Sequence, residues 1–143
     1  MKQLIHVACT VEAPLMLELR DGRIQCVESR PLPLLVARYQ LVLAEHRLAE
    51  FLLHLDIPRL RIEPAVVVFP GSGGEVRTHH RVHVGHYFTQ DQVRDLNLEG
   101  DRLLTMNDEY LFVSGSLKMK LQSAGFEYLQ FSEGLSEFGA NAT

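Results

Sequence analysis

Leu15, Leu17 and Leu19 alternate with Met16, Glu18 and Arg20, the period of a strand with one wet face. Arg23 to Glu28 is a second strand-like run, and Asp21-Gly22 between the two signals a short hairpin. Arg30-Pro31-Leu32-Pro33 follows as a stiff extended link, because each proline biases the residue before it away from helix. Leu34 to Ala37 reads as a short apolar strand. After it, Leu41, Ala44, Leu48, Phe51, Leu52 and Leu55 form one stripe at helical spacing, with Gln40, Glu45, Arg47, Glu50 and His54 mostly off it. The spacing therefore predicts a long helix, ended near Pro58. Leu60, Ile62 and Ala65 to Phe69 read as buried strand, with a bend or bulge at Pro64.

Gly71-Ser72-Gly73-Gly74 lacks the Lys-Ser/Thr and the following helix of a phosphate-binding loop, so it reads as a hairpin tip. Val76 to Phe88 is a strand, and Thr89 with Gln92 three residues on is a capping box opening a short helix. Arg102 to Met106 and Tyr110 to Val113 are strands around the turn Asn107-Asp108-Glu109. Ser114 or Ser116 caps a second helix carrying Leu117, Leu121 and Ala124, Gly125 ends it, and Phe126 to Phe131 is the last strand.

Two stretches follow one plan. Leu48, Leu52, Leu55, Ile57, Leu60 and Ile62 match Leu117, Leu121, Ala124, Phe126, Leu129 and Phe131 at a constant offset of 69. The strands before them, Leu35-Val36 and Phe112-Val113, match at 77. Each unit is a strand, an amphipathic helix, a tight turn and a strand, the makings of a near-parallel crossover. The expected fold is a single α+β domain over residues 1–143: a mixed sheet of about six to eight strands, two main helices, a strand–helix–strand near-repeat and a flexible tail over about 133–143.

Composition narrows the class. The chain has 143 residues, 46% of them hydrophobic, which is one ordinary globular domain and not a disordered chain. Its formal charge of −4 disfavours a nucleic-acid partner, which would call for a basic excess. No apolar run approaches the roughly 20 residues that span a membrane. His6 and Glu12 interrupt the N-terminal apolar stretch, so no signal peptide is read there. Cys9 and Cys26 are expected as unpaired thiols, which suits a cytoplasmic protein.

Chemistry is sparse. Strand alternation sets His79, Arg81 and His83 on one face and His80, Val82, Val84 and His86 on the other. Each face offers two ligands where a zinc or iron site usually takes three, and Arg81 repels a cation. Serines stand at caps and turns, without a nucleophile elbow. From Thr89 to Glu109, Asp91, Asp95, Glu99, Asp101, Asp108 and Glu109 face only Arg94 and Arg102, a balance of −4 in 21 residues. Such a stretch can solubilise a surface, or steer and dock a basic partner.

Three segments carry a resemblance: Leu34-Leu35-Val36 with its helix and following strand; His86-Tyr87-Phe88 through Asp95-Leu96-Asn97-Leu98; and Leu111-Phe112-Val113-Ser114 through Leu129-Gln130-Phe131. Together they resemble the family numbered eleven among the bacterial polymorphic-toxin immunity proteins. The first copy departs from its pattern in having Ala37 where a serine is expected. The resemblance implies a small cytoplasmic, non-enzymatic protein that binds and neutralises one cognate toxin by steric occlusion, without cofactor or metal. The expected partner-binding residues are Asp91, Asp95, Glu99, Asp101, Asp108 and Glu109, with His79, His83 and Tyr87 as second choice. The alternatives are a small metal-binding or hydrolytic enzyme using the His79–His86 strand, and a non-catalytic homo-oligomeric scaffold.

Overall fold

A computed structural model describes residues 3–28, 30–71 and 74–134. It is an α+β fold of three sheets. One holds β10-β11-β12-β1-β13, where β1 is Leu4–Cys9, β10 Tyr87–Phe88, β11 Leu103–Met106, β12 Tyr110–Ser114 and β13 Leu129–Glu133. A second holds β4-β5-β9-β6: Leu35–Arg38, Leu41–Glu45, His79–Val84 and Leu60–Pro64. The third is a small sheet, β2-β3-β7-β8: Met16–Glu18, Ile24–Cys26, Val67–Val68 and Glu75–Val76. The expected single sheet of six to eight strands is thus divided. The helices are α1, His46–Leu53, and α2, Gly115–Ser123, with a 3-10 helix at Gln90–Asp95.

The predicted long helix is shorter than its stripe. Leu41 to Glu45 is strand β5, in which Leu41 and Leu43 face one way and Val42 and Ala44 the other. Leu41, Ala44 and Leu48 keep helical spacing, but β5 is covered on both faces and so shows no apolar–polar alternation to mark it as strand; Glu45 sets the boundary. Its carboxylate accepts the amide hydrogens of Arg47 (2.6 Å) and Leu48 (3.1 Å), starting the helix at His46. The hairpin at Asp21-Gly22 is present, with Gly22 in the left-handed region, but its faces are reversed: Met16 and Cys26 are buried, whereas Leu15 and Leu17 are exposed. Chain direction changes after Pro64, which separates β6 from β7 and moves the strand into another sheet. The long strand expected over Val76 to Phe88 is broken into β8, β9 and β10. Cys9 and Cys26 are free thiols. Of the expected tail, Glu133 belongs to β13 and residues 135–143 lie outside the described residues.

The near-repeat is a duplication of the whole plan. The offset of 69 runs back through the strand before the helix, so β5 matches β12 and Leu43-Ala44, not Leu35-Val36, is the counterpart of Phe112-Val113. Leu35-Val36 instead matches Leu103-Leu104 at 68, because the Asn107–Glu109 turn is one residue longer than Tyr39-Gln40. β9 lies between β5 and β6 just as β1 lies between β12 and β13, antiparallel to both neighbours. Matching Glu45 with Ser114 and Leu60 with Leu129 sets His79–Val84 on Leu4–Cys9 at an offset of 75. Each half is therefore a strand, a hairpin, a helix and a strand, and the first strands are exchanged: β1 completes the C-terminal half's sheet, and β9 the N-terminal half's.

Packing obeys the same equivalence. Val7 and Val82, Leu35 and Leu103, Ala44 and Val113, Leu48 and Leu117, and Leu52 and Leu121 are matched pairs in one central core. The outer face of one sheet (Val36, Leu41, Leu43) is covered by Met16, Ile24, Cys26, Ala65 and Val67. The outer face of the other (Leu4, Leu104, Phe112) is covered by Phe88 and Leu98, with Val93 and Leu96 beside them. The halves lock through α1 and the turn after α2. The Tyr128 hydroxyl donates to Glu45 (2.6 Å), the Arg47 guanidinium lies 4.0 Å from the Phe126 ring centre, and Phe51 meets Phe126 edge-on at 5.3 Å. Because Leu52 and Leu121 are equivalent and 5% and 3% exposed, Leu52→Ala and Leu121→Ala should each cost about 2–5 kcal/mol in chemical denaturation. A loss below about 0.5 kcal/mol at either would place that helix face outside the core.

Candidate groove at the junction of the two halves

An open groove of about 640 Å³ lies where β9, β6 and the tips of both hairpins meet. Its lining includes Arg59, Arg61, Arg81, His83, Tyr87 and Asp108. The equivalent hairpin tips touch here: the Gln40 amide donates to the Asp108 carbonyl at 2.6 Å, and the Arg81 guanidinium donates to the Gln40 carbonyl at 3.1 Å. Alternation sets Arg81 and His83 on one face of β9, across from Glu63 and Arg61 of β6. Arg81 also pairs with Glu18 at 2.8 Å, and that hydrogen bond holds the Glu18 carboxyl below the usual carboxylate range. Glu63 bonds the His83 imidazole and pairs with Arg61 at 3.1 Å. His83 first, and Arg61 after it, keep the Glu63 carboxyl low.

Backbone strain concentrates at this place. Among the described residues, four non-glycine residues adopt positive φ: Gln40 (57°), Arg59 (58°), Asn107 (58°) and Asp108 (53°). Three of them line the groove, and Asn107 adjoins the third. A left-handed backbone costs an L-residue about 1–2 kcal/mol, least for Asn and Asp. Arg59 is held so by the Gly85 amide, which donates to its carbonyl at 2.8 Å. A Cβ on Gly85 would lie 3.1 Å from that oxygen and 3.3 Å from the Arg59 Cβ. The duplicate supplies an internal control. At the matched place, the Thr10 amide donates to the Tyr128 carbonyl at 2.9 Å, yet Tyr128 is outside the positive-φ set and Thr10 carries its side chain. The same backbone bond thus forms in the matched half without a strained residue or a glycine.

The charges diverge in the same way. The counterparts of Arg61, Glu63, Arg81 and His83 are Gln130, Ser132, His6 and Ala8. Those four, with Phe131, line a second depression on the other sheet. The same backbone thus stands without an acid or a guanidinium at any of the four positions.

The residues singled out from sequence fall into distinct settings. His83 and Tyr87 line the groove, and Tyr87 is 61% exposed. His79 is buried away from it: Nε2 donates to the Pro33 carbonyl at 2.7 Å, so Nδ1 accepts from the Thr78 hydroxyl at 2.8 Å. Of the acidic stretch, Asp108 lines the groove, while Asp101 is held by Lys120 (2.6 Å) and the Ser116 hydroxyl (2.8 Å). Asp91, Asp95, Glu99 and Glu109 are exposed. Arg59 and Gly85 escaped the sequence reading; aligning β9 on β1, which sets Gly85 against Thr10, is the signal that reveals them. Among the described residues, no group of three or more His, Cys, Asp or Glu is arranged to hold a metal. No helix among them is long and apolar enough to cross a membrane. Comparison of the chain with family models, curated proteins and solved structures finds no match.

Burial pushes the His79 imidazole below its ordinary pKa, outweighing its bond to Pro33 and the charge of Glu45, which favour the proton. A histidine held neutral when folded contributes stability above its unfolded pKa of about 6.5, and that contribution is lost as pH falls through the lower folded value. Unfolding free energy should therefore decline with acidification below about pH 6.5. The decline should be shallower in His79→Gln. An unchanged slope in that variant would show that His79 is not linked to folding.

Proposed function

We propose that the protein is an immunity-type inhibitor, non-enzymatic and cytoplasmic, that binds one cognate toxin domain and occludes its active site or the approach to it. The observation that carries this reading is the divergence between matched faces. A duplicated fold keeps one face uncharged and equips the other with Arg59, Arg61, Glu63, Arg81 and His83 around an exposed tyrosine. The matched half builds the same frame without that set, and arginine and tyrosine are the side chains that dominate protein interfaces. A stable complex buries about 800 Å² per partner, which one side of a chain this size can supply.

The acidic stretch contributes encounter. Asp95 closes the 3-10 helix beside Leu96, which packs on the core, whereas Glu109 stands exposed in a turn. Self-association has one feature in its favour, the exposed Leu15, Leu17 and Val27 on the small sheet, and sedimentation of the chain alone separates that reading from a toxin complex.

The test is association with the product of the adjoining gene, which this reading expects to be the cognate toxin, followed at two salt concentrations. The wild-type chain should bind it. Asp95→Lys should slow association more than Glu109→Lys, and raised salt should shrink the difference as the screening length falls below about 8–10 Å. No complex with that toxin overturns the reading. Binding indifferent to both reversals and to salt would make the acidic stretch a solvated face.

A further inference from the structure

The charged groups of the groove are not all committed. Arg81 is taken by Glu18 and the Gln40 carbonyl, and Arg61 and His83 share Glu63. Two groups are left over. Among the described residues, the Arg59 guanidinium pairs with no acid, and the Asp108 carboxylate has no base and no hydrogen-bond donor. Both are side chains of left-handed residues lining the same groove. They do not neutralise each other, so the groove keeps one open positive and one open negative position. The exposed ring of Tyr87 lies in the same lining.

This pattern discriminates between ligand classes. A phosphate chain or other polyanion would be drawn by Arg59 but repelled by Asp108, Glu18 and Glu63. A polycation would meet three guanidiniums. A ligand carrying one charge of each sign satisfies both open positions, and the groove's volume is that of a site for a few side chains. We propose that the groove is the docking slot for a short segment of the protein partner, a segment that places an acidic side chain at Arg59, a basic side chain at Asp108 and an apolar or aromatic group against Tyr87. The proposal rests on the reading of the chain as a protein-binding inhibitor and names the chemistry that its groove selects.

Terminally blocked hexapeptides test it without the toxin, so its failure is distinct from a failure to bind the toxin. Four are needed, each with one Tyr: one with a Glu and a Lys three residues apart, one with two Glu, one with two Lys, and one uncharged. Titrated into the labelled full chain, the mixed peptide should shift the amide resonances of Gly85, Tyr87 and Thr105. It should bind about fivefold more tightly than either single-sign peptide. Arg59→Glu should transfer the preference to the two-Lys peptide, Asp108→Lys to the two-Glu peptide, and the double reversal should restore preference for the mixed one. Arg59→Gly removes the cation while relieving the left-handed backbone, so it should lose the preference with no fall in thermal midpoint. No groove shifts with any peptide, or a ranking unmoved by the reversals, overturns the proposal.

Discussion

The structure depends on a gap that neither half can close for itself. Within the N-terminal half, β5 and β6 run parallel because both are antiparallel to β9. They stand two strand spacings apart, about 9.6 Å. The facing amide and carbonyl groups of such a pair must find partners, since unpaired buried backbone is costly. β9 fills this gap and β1 fills the equivalent one between β12 and β13. Each filler comes from the other half of the duplicated plan, so the two sheets, the central core and the helices above it form together.

Once the strands are exchanged, the elements that join the halves fall into place. The hairpin tips meet through Gln40 and Asp108, and α1 is pinned to the turn after α2 through Glu45, Arg47, Phe126 and Tyr128. The caps show how a shared plan tolerates different chemistry. Glu45 starts α1 with both carboxylate oxygens and also receives the Tyr128 hydroxyl. Ser114 starts α2 by accepting from Leu117 while also accepting from Arg102 and donating to Gly100. Positions differing in this way still build the same frame. Arg59, left-handed against Gly85, and the charged set Arg61, Glu63, Arg81 and His83 have no counterpart at the matched Tyr128, Thr10, Gln130, Ser132, His6 and Ala8, so the shared plan does not account for them.

Much of the frame was legible in the sequence because its signals are local. Ser114, Gly125 and the Asp21-Gly22 turn are short-range features, and the offset of 69 rests on apolar spacing that is local within each of Leu48–Ile62 and Leu117–Phe131. Strand β5 was not, because a strand covered on both faces carries no alternation while Leu41, Ala44 and Leu48 keep helical spacing, and Tyr39-Gln40 lacks the Asn-Gly chemistry of a two-residue hairpin. Strand exchange was also illegible, since nothing local in Leu4–Cys9 names a partner more than a hundred residues away. Of the groove, His83, Tyr87 and Asp108 stood among the residues singled out from sequence, although His83 and Tyr87 lie on strands of different sheets rather than on one strand. Arg59 did not: a left-handed arginine after a proline has no sequence signature, and only the matched Tyr128 shows that its conformation is a departure.

The central claim is that the exchanged strands make the duplicated halves one cooperative unit. Native-state hydrogen exchange tests it most directly, with the amides of β1 and β9 followed across a range of sub-denaturing conditions. The structure predicts that both strands exchange through the same global opening, with equal free energy and equal denaturant dependence. A smaller opening that releases β9, β5, β6 and α1 while β1, β12, β13 and α2 remain protected, or the reverse, would contradict it.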